Sequence, residues 1–331
     1  MLIPRYWSEQ SEHRTLPPRR SVTVHRFGWS SVSQEEADAH AVARVAEAWS
    51  AFEAGRTPSR RELRGAYAGA DGAAIREEVL WEDAESGAVA TRNAYGAVCL
   101  NVPDVLFADV DLTPDERAHQ TATTAAIVVF IVCGGFFSGL MQALGPLGWA
   151  AGLGAAGVFA TITAGVVRRV TGAAPPTQAA VLAALRAWCA ARADWRVEVY
   201  QTPAGLRLLA THAPIDPRGE EARAFFDAVH TDPRYRHMCE HQACYRARLT
   251  PKPWRIGIPS RIGFRAWPIR DPHALSTRHA WVRQYDTIRQ GWSACAWIEA
   301  VGTGSACPAG ERVLALHDRE SGARAPDPKL A

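Results

Sequence analysis

The stretch TATTAAIVVFIVCGGFFSGLMQALGPLGWAAGLGAAGVFATITAGVV, residues 121–167, contains no Asp, Glu, Lys, Arg or His. A helix needs roughly 20 apolar residues to cross a bilayer core, so this run is long enough for two crossings. Gly145 and Pro146 fall near its middle, where helix breakers make a turn, and the pattern predicts spans over about 122–144 and 147–167. Only Gln142 interrupts the apolar character, whereas helices of a buried soluble hairpin normally keep a charged face. Gly135 with Gly139, and Gly148 with Gly152, have the spacing that lets two helices approach closely in lipid. Arg117 precedes the first span and Arg168 and Arg169 close the second, so the positive-inside rule puts both ends of the chain in the cytoplasm.

The flanks read as water-facing, mixed structure. Ser33 and Glu36 form a capping box ahead of Ala37, Ala41, Val45, Ala48, Trp49 and Phe52, an amphipathic helix that stops at Gly55. Residues 21–29 alternate like a strand, and 76–112 read as several strands with turns at Glu85-Ser86-Gly87 and Pro103-Asp104. After the apolar run and a short linker over 173–177, residues 179–193 are apolar at helical spacing. Residues 197–201 and 206–212 flank the turn Thr202-Pro203-Ala204-Gly205 as a hairpin. Helices are expected over 220–229 and 233–244, and a strand over 293–301.

The expected fold class is therefore α+β: one cytosolic mixed α/β domain interrupted by an inserted two-helix transmembrane hairpin. Residues 1–120 and 169–331 supply the two parts of the domain, with strands from both in its sheets, and 121–168 form the hairpin.

At 331 residues and 47% hydrophobic content the chain can bury a large core. A net charge of +3 with 21% charged residues neither demands nor excludes a polyanionic partner. Seven scattered cysteines, an odd number, suit reduced thiols better than a disulfide framework. Residues 1–20 carry charges throughout, so no secretion signal is expected.

Three groups of residues bear chemistry. Asp109 and Asp111 stand two residues apart on an apolar strand and so share a face, which would let them hold Mg2+ or Mn2+ and through it phosphate oxygens; alternatively one or both face water or cap the following turn. Between His241 and Arg270 no acid occurs, while Arg246, Arg248, Lys252, Arg255, Arg261, Arg265 and Arg270 alternate with Tyr245, Trp254, Phe264 and Trp267. Arginine forks hold phosphate and aromatic rings stack on bases, so nucleotide or nucleic acid is one partner class and anionic lipid another; solvated arginines are the plain alternative. His237, Cys239, His241 and Cys244 are spaced for zinc on one helix but lack a second ligand pair, and the thiols read better as core. No nucleophile elbow, Walker loop or dinucleotide fingerprint is present, and His317-Asp318 reads as a surface dyad.

The blocks Arg26-Phe27-Gly28-Trp29-Ser30, Thr91-Arg92-Asn93-Ala94-Tyr95-Gly96, 106–112, 202–207 and 245–255 resemble those of an uncharacterised bacterial membrane-associated protein family, which implies an inner-membrane location and brings no activity with it. A weaker similarity links Asp109 and Asp111, and the turn 202–208, to the archaeo-eukaryotic primase and primase-polymerase superfamily. That resemblance implies a metal at the Asp pair and a phosphate contact from the following hairpin, where Arg207 stands in place of the superfamily's His. The functional expectation is a membrane-anchored protein that binds a phosphate-bearing ligand such as a nucleotide. Asp109 and Asp111 would hold the metal, and Arg207, Arg246, Arg248, Lys252 and Arg255 the phosphates. Whether it is an enzyme of nucleotidyl-transfer type stays open. The alternative is a non-catalytic scaffold docking lipid or a protein partner.

Overall fold

In the computed structural model, residues 1–16, 20–56, 74–112, 175–258, 267–269 and 271–331 are described. They hold ten strands and six α-helices: β1 Tyr6–Leu16, β2 Arg20–Ser30, α1 Gln34–Glu53, β3 Glu78–Asp83, β4 Ala88–Arg92, β5 Val98–Val102, β6 Phe107–Asp111, α2 Gln178–Ala190, β7 Val197–Thr202, β8 Gly205–Ala210, α3 Glu220–Ala228, α4 Pro233–Gln242, β9 Tyr245–Arg248, α5 Pro272–Ile288, β10 Ala296–Val301 and α6 Pro308–Ser321. The strands form three sheets: the pair β1-β2, and two four-stranded sheets with orders β10-β7-β8-β6 and β3-β4-β5-β9. Residues 1–110 with 182–331 form one compact unit and residues 111–181 another.

The membrane architecture is corrected. Among the described residues no helix is long and apolar enough to cross a membrane. The longest, α1, spans 20 residues but carries Glu35, Glu36, Asp38, Arg44, Glu47 and Glu53, and α2, with 13 residues, falls short of a bilayer core. The hairpin expected over 121–168, with spans at about 122–144 and 147–167, lies outside the described residues. The α+β fold of three sheets and six helices therefore replaces the fold with an inserted transmembrane hairpin, and a two-span inner-membrane protein with both termini cytoplasmic is not supported.

Local sequence explains the first layer. Ser33 caps α1 by accepting from Glu36 N–H at 3.2 Å. Glu36 does not reach back to Ser33 as a capping box would; its carboxylate accepts from Ser30 Oγ at 2.6 Å and ties the helix to the end of β2. Ala37, Ala41, Val45, Ala48 and Trp49 face the β1-β2 ribbon and bury Val22 and Val24. At Gly28 the helix lies directly on the strand: a Cβ there would sit 2.2 Å from Ala41 N and 2.3 Å from Ala37 O.

Both larger sheets contain strands from either side of residues 113–174. Strand β5 pairs antiparallel with β9, Cys99 opposite Arg248 and Asn101 opposite Arg246, and β6 lies beside β8. All of β5 and all of β8 is buried, which is the condition of strands covered on both faces. A cluster of Trp188, Trp195, Phe225 and His212 packs at one end, with Trp195 stacked on Phe225 at 5.0 Å.

Candidate functional site

The face of β4-β5-β9 that carries Thr91, Cys99, Asn101, Arg246 and Arg248 is polar, yet buried. Directly opposed residues of antiparallel strands share a face, so the register Thr91↔Cys99↔Arg248, with Asn101↔Arg246 beside it, brings these side chains together. Polar groups in such a place need partners. Glu77 supplies most of them: its carboxylate takes Arg246 Nη2 and Thr91 Oγ1 (2.7 Å), and Asn101 Nδ2 donates to Thr91 Oγ1 at 2.9 Å. Glu77 and Arg246 are almost wholly buried, so Arg246 is a crosspiece of the sheet neutralised by one carboxylate, and the structure does not present it to a ligand.

Arg207 is equally committed. From β8 its guanidinium forks onto Asp109 of β6, Nε to Oδ1 at 2.8 Å and Nη2 to Oδ2 at 3.3 Å, while Nη1 donates to the Arg248 carbonyl at 2.8 Å. Arg207 is 1% exposed and Asp109 33%. Burial opposes the charge on Arg207, and the Asp109 carboxylate outweighs it and raises the pKa above the ordinary arginine value. Both Asp109 oxygens thus accept from the Arg207 cation, and Asp111 stands exposed at the strand end. Among the described residues no group of three or more His, Cys, Asp or Glu is placed to hold a metal ion. The zinc-spaced quartet divides as well: Cys239 and Cys244 are fully buried while His237 faces solvent and stacks on His241 at 5.4 Å.

Arg248 differs from its two neighbours. It is half-buried, Nε has no hydrogen-bond partner, and no carboxylate lies within ion-pair reach among the described residues. Beside it stands Tyr95, presented by a turn that its own sequence closes: Asn93 Oδ1 accepts from Tyr95 N–H (3.2 Å) and Ala97 N–H (3.1 Å), and Gly96 takes φ +99 against the Trp281 ring, where a Cβ would come within 2.2 Å. Burial raises the Tyr95 pKa, Cys99 adds to it, and Arg248 opposes by charge and by hydrogen bond. Tyr95 meets Trp254 edge-on at 5.3 Å; Trp254 is 46% exposed, and Lys252 Nζ lies 5.5 Å above its ring. Trp254 is held out by the short 3-10 turn Pro253–Arg255, on which Arg255 is half-buried.

Of the expected phosphate ligands, Arg248 and Lys252 therefore flank one aromatic edge, with Arg255 on the adjoining turn, while Arg207 and Arg246 are consumed as buried ion pairs. Arg261, Arg265 and Arg270 lie outside the described residues. Thr91 falls in one of the family-like blocks without a role attached to it, Asn101 is signalled only as a polar position in the apolar strand β5, and Glu77, just ahead of β3, has no sequence signal. Compared with known protein families, with curated proteins and with solved structures, the chain matches none.

Proposed function

We propose that the protein binds a phosphate-bearing ligand, of the nucleotide class, on the edge formed by Arg248, Lys252, Tyr95 and Trp254. One observation carries this: Arg248 is a half-buried guanidinium with an unsatisfied Nε, in a neighbourhood where Arg207 and Arg246 each have their own carboxylate. A buried donor without a partner costs about 1–3 kcal/mol, which a phosphate oxygen relieves by accepting from it. Trp254, 46% exposed beside Lys252, suits a base or sugar next to that phosphate. Binding needs no metal bridge, because Asp109 is engaged by Arg207, and no transfer chemistry is assigned to the site. The resemblance to primase-polymerases rests on that aspartate, on Asp111 and on the turn 202–208, and lends the reading only its ligand class.

Calorimetric titration with a nucleoside triphosphate and with pyrophosphate, in EDTA and again in Mg2+, tests it. Wild type is expected to bind in both media, Arg248→Gln to lose at least about tenfold in affinity, and Lys252→Gln less. Absence of binding by wild type, or equal binding by Arg248→Gln, overturns the proposal and leaves the scaffold alternative.

A further inference from the structure

A second polar cluster lies beneath α6. His317 is fully buried, its Nδ1 3.1 Å from Asp318 Oδ1 and its Nε2 3.7 Å from the Cys295 sulfur. Asp318 is fixed in turn by Tyr200 O–H (2.7 Å) and Arg324 Nε (2.7 Å), and Arg207 Nη1 stands 3.4 Å from His317 Nε2. A thiol with an imidazole on one side and an orienting carboxylate behind it is the arrangement that generates a thiolate. Burial works against both charges, yet His317 and Arg207 draw the Cys295 pKa down, and Cys295 with Asp318 draws that of His317 up against the opposing charge of Arg207. Other buried thiols go the opposite way: burial pushes Cys189 and Cys244 up to about 11.

The thiol is sealed by α6 and by the chain that follows it. Around Cys295, Ser293 N–H donates to Lys329 O (2.8 Å), Ala331 N–H to Ser293 O (3.1 Å), Ala294 N–H to Ser321 O (3.0 Å) and Trp297 N–H to Ala323 O (2.9 Å). The clasp of this strap is Arg324, which bonds Asp318, reaches Glu198 at 3.5 Å and lies 4.0 Å over the Trp297 ring. Its side chain is 45% exposed, so the clasp is open to solvent although the thiol is not.

We propose that Cys295 is a peroxide-reactive thiol, oxidised to the sulfenic acid when the strap Gly322–Ala331 opens. The Cys295 thiolate attacks one oxygen of hydrogen peroxide; an S–O bond forms as the O–O bond breaks, and the departing hydroxide takes the proton of the His317 imidazolium and leaves as water. Sulfur is oxidised, peroxide is reduced, and His317 is left neutral. Local opening of the strap sets the rate, as it does for other buried groups reached by small reagents.

The test exposes the intact protein to hydrogen peroxide with dimedone and quantifies the adduct at each cysteine by peptide mass spectrometry. Cys295 is expected to label ahead of the buried Cys99, Cys189, Cys239 and Cys244. Arg324→Gln should raise the Cys295 rate at least about fivefold without changing that of the partly exposed Cys307. In the Arg324→Gln background, His317→Gln should bring it back down. Cys295 left unlabelled while other buried thiols react, or a rate indifferent to Arg324→Gln, overturns the proposal; both readings stand without the His317 variant, should it fail to fold.

Discussion

Replacing Asp109 by Asn separates a structural role from a metal-binding one. The substitution keeps the shape of the side chain and one acceptor, but leaves Arg207 charged and 1% exposed with no carboxylate on its fork. Opposite charges about 4 Å apart interact by roughly 4 kcal/mol at the effective dielectric of a protein, and removing one partner of a buried pair costs about 3–5 kcal/mol. Asp109 is 33% exposed, so water recovers part of the loss, and a destabilisation of about 3 kcal/mol is expected. Asp111→Asn, at an exposed strand end, should cost clearly less than Asp109→Asn. Urea denaturation followed by circular dichroism, in EDTA and in Mg2+, measures both. A metal pair would behave differently: without metal, neutralising either aspartate would relieve the same repulsion, and Mg2+ would stabilise wild type alone. Equal effects of the two variants, or stabilisation by Mg2+ that either variant abolishes, would refute the assignment of Asp109 to Arg207. The double variant Asp109→Leu/Arg207→Met should recover most of the stability, since a buried pair exchanged for apolar volume is close to neutral.

Gly28→Ala forces a methyl group into the backbone of α1 at Ala37 and Ala41 and should cost about 3 kcal/mol, read as a lowered denaturation midpoint. Arg312, with Ser86, holds the Asp83 carboxyl down at about 2 from its ordinary 3.8. A depressed acid pKa contributes stability above about pH 4 that fades as pH falls toward 2. The contribution is about 1 kcal/mol because the Arg312 side chain is 47% exposed and screened, and in Asp83→Asn that acid limb should flatten in a pH series of melts. Glu77→Gln strands Arg246 in the sheet interior and should destabilise by about 3 kcal/mol, with the Thr91 hydroxyl still able to find an acceptor in the amide.

Much of the fold is legible where the determinants are local. Ser33 and the 3.6-residue stripe from Ala37 to Phe52 give α1, and Thr202-Pro203-Ala204-Gly205 gives the β7-β8 turn. Strand β1 is not legible, because YWSEQSEHRTL offers almost no apolar face and is ordered by pairing along its whole length with β2. Strand β9 was concealed by its own arginines: Tyr245-Arg246-Ala247-Arg248 has the period of a strand, but two cations in four residues point to a ligand. For Asp109 the period-two argument gives the strand but not its neighbour, since Arg207 arrives from 98 residues further along the chain. The same holds for His317-Asp318, which reads as a surface dyad: nothing within α6 reveals that Cys295 and Tyr200 lie over it. Tertiary neighbours, invisible to any window, decide which charged residues are structural.

The split composition of the two larger sheets has a consequence for synthesis. Strands β3, β4 and β5 leave the ribosome together, but the partner of β5 starts at Tyr245, about 140 residues after Val102. At about 5–20 residues per second the wait is roughly 7 to 28 s. Throughout it the nascent chain carries the segment Val98–Val102, whose outer edge as a strand has donors and acceptors and no mate, the condition under which one polysome's chains template onto each other. Yield in a heterologous host should therefore follow elongation rate and holdase supply more closely than it follows the stability of the finished fold.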